Sequence, residues 1–168
     1  MATTFTPSAG NIIRPYGRSK VKHFPEAASQ TFKRGYPVIM DSASTENRIA
    51  VAADNPTAAI VGIAAEDASG TTGNKVAVWL AKPEYQFIVT TVASDAVDFT
   101  DRGACRALQA HASLAIWVVD TTDAGNDSVV IEDYLNPVTM ASQTAEGDSE
   151  VYAVVHFDPK ATIYGAGT

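Results

Sequence analysis

Lys75-Val-Ala-Val-Trp-Leu-Ala-Lys-Pro-Glu-Tyr-Gln-Phe-Ile-Val-Thr-Thr-Val92 is the stretch on which the fold turns. Extended backbone sends successive side chains to opposite faces, so Val76, Val78 and Leu80 share one side while Ala77 and Trp79 take the other. Lys82-Pro-Glu84 then interrupts the run with a residue that has no N–H to offer a ladder. A second run, Tyr85–Val92, follows at once and is dominated by aromatic and β-branched residues, which pack well on a pleated surface. Two strands separated by a short turn are the expectation.

The same texture extends in both directions. Upstream lie Tyr36–Met40, Arg48–Ala53 and Ala59–Ala64; downstream lie Leu114–Val119, Ser128–Tyr134 and Val151–Phe157. Each is bounded by Gly, Pro, Asn, Asp or Ser, the pattern of an all-β sandwich or barrel. Val129, Ile131 and Asp133 alternate with Val130, Glu132 and Tyr134 as a half-buried strand requires. Ala68–Asn74 predicts a hairpin with a flexible tip; Asp120–Asp127 and Met140–Gly147 predict polar connectors. No window shows a sustained helical stripe, and Thr100–Gln109 is expected to form a short turn or helix. No fixed-period repeat is present, so a solenoid or propeller is excluded.

Composition agrees. The chain has 168 residues, of which 46% are hydrophobic and 18% charged, with one cysteine. That length suits one domain, or a domain with a tail. A disordered chain, a coiled coil and a disulfide-stapled miniprotein are excluded. The apolar runs are far short of the ~20 residues a membrane helix needs, so no membrane partner is expected. Met-Ala-Thr-Thr-Phe-Thr-Pro lacks a basic stretch leading into an apolar one, so no export signal is expected.

Charge is unevenly spread. Residues 1–35 hold Arg14, Arg18, Lys20, Lys22, Lys33 and Arg34 against Glu26 alone, whereas the remainder holds six basic and eighteen acidic residues. Residues 1–24 are also broken by Pro7, Gly10, Pro15 and Gly17, and carry isolated apolar residues at Phe5, Ile12, Ile13, Tyr16, Val21 and Phe24. The expectation is an extended basic arm over residues 1–24 on an acidic β-rich body over residues 25–168. Its docking residues would be Phe5, Ile12, Ile13, Arg14, Tyr16, Arg18, Lys20 and Lys22. Six cations spread over 21 positions make no dense phosphate-binding patch, and the acidic body repels nucleic acid. An acidic protein partner fits better.

A catalytic census returns nothing that points to an enzyme. Arg102 and Arg106 flank Cys105 and could depress its thiol pKa, but a nucleophile also needs a histidine and an orienting group. His23, His111 and His156 have no ligand spacing, so no metal is expected. Asp95, Asp98 and Asp101, like Asp120, Asp123 and Asp127, lack the calcium-loop pattern and are expected to be solvated loop acids. Gly70-Thr-Thr-Gly73 lacks the Lys-Ser/Thr ending of a phosphate loop, and no Gly-x-Ser-x-Gly elbow occurs. No cofactor is expected. Trp79, Trp117, Tyr85 and Tyr134 are expected in the core or on sheet faces.

Ala27-Ala-Ser-Gln-Thr-Phe-Lys-Arg-Gly-Tyr-Pro-Val-Ile-Met-Asp41 resembles the opening of the head decoration, or capsid cement, proteins of tailed bacteriophages. The similarity continues through Arg48–Pro56, Ile60-Val-Gly-Ile-Ala-Ala-Glu-Asp-Ala-Ser-Gly70 and Lys75–Ala81, and covers about residues 26–92. Asp95–His111 and Met140–Glu150 have no counterpart in it. The resemblance implies a β-tulip-like body, assembled as a homotrimer on the outer surface of an expanded capsid. It also implies a virion location, no catalysis, and the major capsid protein as the partner that the arm crosses. Twenty-two extended residues reach up to about 75 Å. Such an arm would add a strand to the capsid subunits' sheets. Two other readings remain beside it. One is a carbohydrate- or receptor-binding β-sandwich, possibly virion-borne, which would need exposed aromatics on one sheet or at loop tips. The other is a trimeric β-barrel nucleotide phosphatase, whose Asp-containing metal–phosphate motif is missing.

Overall fold

The computed structural model describes residues 8–92, 97–143, 146–148 and 151–164. Eleven strands are found in them, with one 3₁₀ turn at Phe99–Asp101 and no α-helix. In chain order they are β1 (Arg14–Tyr16), β2 (Val21–Pro25), β3 (Pro37–Met40), β4 (Ile49–Val51), β5 (Ile60–Ala64), β6 (Lys75–Leu80), β7 (Gln86–Thr91), β8 (Cys105–Ala110), β9 (Trp117–Asp120), β10 (Val129–Leu135) and β11 (Tyr152–Phe157). The protein is all-β, built from a closed barrel and a second sheet.

The barrel runs β7-β11-β10-β8-β9 and closes where β9 returns to β7, with Thr90 opposite Val118 and Thr91 opposite Val119. That closing pair is parallel, whereas the other barrel pairs are antiparallel. Closure removes the exposed edges that would otherwise invite foreign strands. Phe87, Val89, Leu108, Trp117, Val119, Val129, Ile131, Val155 and Phe157 fill the interior, and the Phe87 and Phe157 rings meet edge-on at 5.4 Å. The second sheet runs β2-β6-β5-β3-β4 and buries Phe24, Phe32, Val38, Ile49, Val61, Val76, Val78 and Leu80. Its end strands approach each other, since Glu26 forms a parallel bridge with Ile49 and the Ala27 N–H donates to the Ile49 carbonyl at 2.9 Å. Tyr36 and Tyr85 pack against both cores. After β11 the chain crosses back to β5, where Ile60 N–H donates to the Ala161 carbonyl and Ile163 N–H to that of Ile60.

The alternation in residues 75–80 corresponds to burial of Val76, Val78 and Leu80 beside half-buried Ala77 and Trp79. Gly62 on β5 permits the close packing: a Cβ there would stand 2.0 Å from the Trp79 carbonyl oxygen. Three local expectations fare differently. Cys105–Ala110 is a strand, although its Ala, Leu, Arg and Gln favour helix; pairing of residues 107–110 with β9 and of Cys105 and Arg106 with β10 overrides that preference. The Ala68–Asn74 tip is pinned, because the fully buried Glu26 carboxylate accepts from Ser69 N–H (2.9 Å), Ser69 Oγ (2.5 Å) and Thr71 N–H (2.6 Å). The boundary expected after residue 24 falls inside β2, and β1 belongs to the barrel sheet through Arg14–Ile88, Pro15–Phe87 and Tyr16–Gln86. Pro15 is tolerated there because β1 has one neighbour only.

Candidate functional site

The residues expected to dock a partner separate into a buried anchor and an exposed strip. Phe5 lies outside the described residues. Ile13 is fully buried in the barrel core. Ile12 is half-buried and crosses Gly35, whose φ of +88° and lack of a side chain make room; a Cβ there would meet Ile12 Cβ at 2.5 Å. Asn11 Nδ2 donates to the Tyr152 hydroxyl, and the Arg14 guanidinium sits 5.5 Å from the centre of the Tyr152 ring. The side chains of residues 11–14 are therefore spent on the chain's own body. Ile13 gains more from the protein interior than from solvent.

From Tyr16 onward the side chains turn outward. Tyr16, Gly17, Arg18, Ser19, Lys20, Val21, Lys22 and His23 are all exposed, Tyr16 by 40% and Val21 by 46%. Arg18, Lys20 and Lys22 have no carboxylate partner among the described residues, and the Lys22 ammonium rests 5.0 Å from the Phe24 ring centre. The strip bridges the two sheets and carries three cations without an acid. The other three early cations are engaged: Arg14 lies over the Tyr152 ring, Lys33 pairs with Asp67 at 3.1 Å, and the Arg34 guanidinium lies 5.3 Å from the Trp79 ring centre. Arg34 N–H and Lys33 together hold Asp67 below the ordinary carboxylate range.

The candidate chemical groups occupy structural positions. Burial and the Asp158 carboxylate, 3.2 Å from Cys105 Sγ, push the thiol up to about 11. The arginines expected to depress it are turned elsewhere, Arg106 to Asp101 and Arg102 to Asp133 at 2.7 Å. Tyr134 is fully buried and donates to Asp101 at 3.3 Å; burial, then the Asp101 charge, raise its pKa. His111 Nδ1 accepts from the N–H groups of Ser113 and Leu114, both at 3.1 Å, and His156 Nδ1 lies 2.7 Å from Glu132 Oε1. Asp120 and Asp123 accept the N–H groups of their own turns, and Asp98 caps the 3₁₀ turn. Asp95 lies outside the described residues. Among the described residues no group of three His, Cys, Asp or Glu side chains could hold a metal ion, and no helix is long and apolar enough to cross a membrane.

A cavity of about 150 Å³ opens beside β8 and β9, lined by Val92, Gln109, Ala110, His111, Ala112 and Val118. Its one titratable lining side chain is His111, whose Nδ1 is taken by the Ser113 and Leu114 N–H groups. Tyr16 is the one Phe, Tyr or Trp side chain among the described residues that is exposed; Trp117 and Tyr134 are buried, and Trp79 and Tyr85 half-buried. The paired aromatics that a sugar-stacking face uses are therefore missing from the described surface. No known protein family matches the sequence, and no curated protein matches it.

Proposed function

We propose that the protein is a capsid decoration protein, a non-catalytic cement that binds the outer surface of an assembled phage shell as a homotrimer. The exposed strip Tyr16–His23 would meet the major capsid protein. The observation that carries this reading is that strip: three cations without acidic partners, contiguous with exposed Tyr16 and Val21, on a chain whose net charge is −7. Sheets closed or stitched at most edges give a rigid mount, and many copies binding one lattice stabilise the assembled shell over its parts by mass action. The resemblance over residues 26–92 supplies the identity of the partner.

The test is co-sedimentation with expanded shells of the cognate capsid protein. Wild type should saturate at a fixed number of copies per lattice subunit. An Arg18→Glu/Lys20→Glu/Lys22→Glu variant should bind at least about tenfold more weakly, since reversed charges meet like charges on the partner. Removing residues 1–22 would be a poor test, because it strips Ile13 from the core and β1 from the barrel sheet. Failure of wild type to sediment with shells at saturating concentration refutes the cement role.

A further inference from the structure

The edge of β2 is half covered. Lys20 O accepts from Leu80 N–H, and Glu26 N–H donates to Asn74 O, which fixes the even-numbered residues as the hydrogen-bonded partners of β6. In an antiparallel pair the alternate residues direct their backbone groups to the opposite side. Beyond Pro25 that side is taken by β4, through the Glu26–Ile49 bridge and the Ala27 bond to Ile49. Over Val21 and His23 it is open among the described residues: no hydrogen bond from them closes the N–H or C=O groups of this pair, β6 is the one strand β2 pairs with, and both residues are exposed. Lys20 and Lys22, two apart, project from the same face of this open stretch, with Arg18 just before it.

We infer that this gap receives an extended acidic peptide segment, which pairs through its backbone with Val21 and His23 and places carboxylates at alternate positions against Lys20 and Lys22. Three observations favour that occupant. Unpaired N–H and C=O groups call for another backbone, which a phosphate or a sugar does not offer. The cations call for negative charge. They also set β2 against the same strand of a second copy, since such a pair would bring Arg18, Lys20 and Lys22 together with their own kind. The inference builds on the proposed contact strip by naming how it binds and what it binds. It reverses the expected direction of strand exchange, because the chain presents a preformed edge and the partner supplies the extended segment.

Two end-capped ten-residue peptides test it without any shell. One alternates Glu with Val and Thr; the other replaces each Glu by Lys. On titration into the full chain, the Glu peptide should move the amide resonances of Val21 and His23, and binding should weaken several-fold between low and high salt as screening grows. The Lys peptide should bind at least about tenfold more weakly. Val21→Pro and His23→Pro remove only outward N–H groups, so each should lose the Glu peptide while keeping the fold. Should either proline unfold the protein, Arg18→Glu/Lys20→Glu/Lys22→Glu serves instead and should exchange the preference toward the Lys peptide. The inference is overturned if the Glu peptide leaves Val21 and His23 unmoved, if both peptides bind alike, or if the chain self-associates through β2. Shell binding without peptide binding would refute edge pairing and leave the cement role standing; the converse would do the opposite.

Discussion

Cys105 shows how neighbours in sequence mislead about neighbours in space. Two arginines flank it within three positions, yet its thiol faces Asp158, and burial with that carboxylate keeps the proton on. Alkylation by iodoacetamide at pH 8 should therefore be far slower than for an ordinary thiol, and should rise steeply only as pH nears about 11. Asp158→Asn removes the nearest negative charge and should speed the reaction at pH 8. A wild-type rate equal to that of a small-molecule thiol would show that Asp158 does not govern this cysteine. Arg106 is taken by Asp101 in the same stretch of chain, whereas Asp133, the partner of Arg102, lies on a strand that no local spacing connects to Cys105.

Among the elements, the strands that were legible are those whose two faces differ. Residues 75–80 alternate in burial, and the alternation is written in residue size and polarity. β8 was not legible, because its burial runs from half-buried Cys105 and Arg106 through a buried centre at Ala107 and Leu108 to exposed Ala110 without strict alternation. β1 was hidden by Pro15 and by its length of three residues; what fixes it is pairing with β7, distant in sequence, together with the passage of Ile12 over Gly35 just before it. The exposed cations Arg18, Lys20 and Lys22 could be named from composition, whereas the inward turn of Ile13 could not. Ile13→Ala should consequently cost about 2–5 kcal/mol in urea unfolding with an unchanged m-value, as for a buried core deletion. Lys20→Ala, by contrast, should stay within about 0.5 kcal/mol, as exposed substitutions do. A stability unaltered by Ile13→Ala would mean that the segment before β1 is not anchored in the barrel.

At the scale of the whole molecule, acid should be the sensitive direction. Asp67 is held below its ordinary pKa by the Arg34 N–H and by Lys33. For Asp133, burial works against the charge, but Ser142, the Tyr134 N–H and Arg102 outweigh it and leave the carboxyl lowered. Groups with depressed folded-state pKa values contribute stability above their unfolded value, near 4, and lose it as pH falls through the folded value. Tm should thus fall below about pH 4, and Asp133→Asn should flatten part of that decline while lowering Tm at pH 7. A Tm that did not change between pH 6 and pH 3 would contradict both assignments.

The route of the chain between its two sheets sets an order on its synthesis. The second sheet draws all its strands from residues 21–80, so its pairings can form as soon as that stretch leaves the ribosome. The barrel cannot close until β11 has been made, and the Ile60–Thr162 bridge follows later still. Ile13, made before all of these strands, belongs to a core that is completed only by Val129, Ile131, Val155 and Phe157 of the late strands. The nascent chain must therefore keep this isoleucine exposed beside a sheet that is already folded until the later strands arrive.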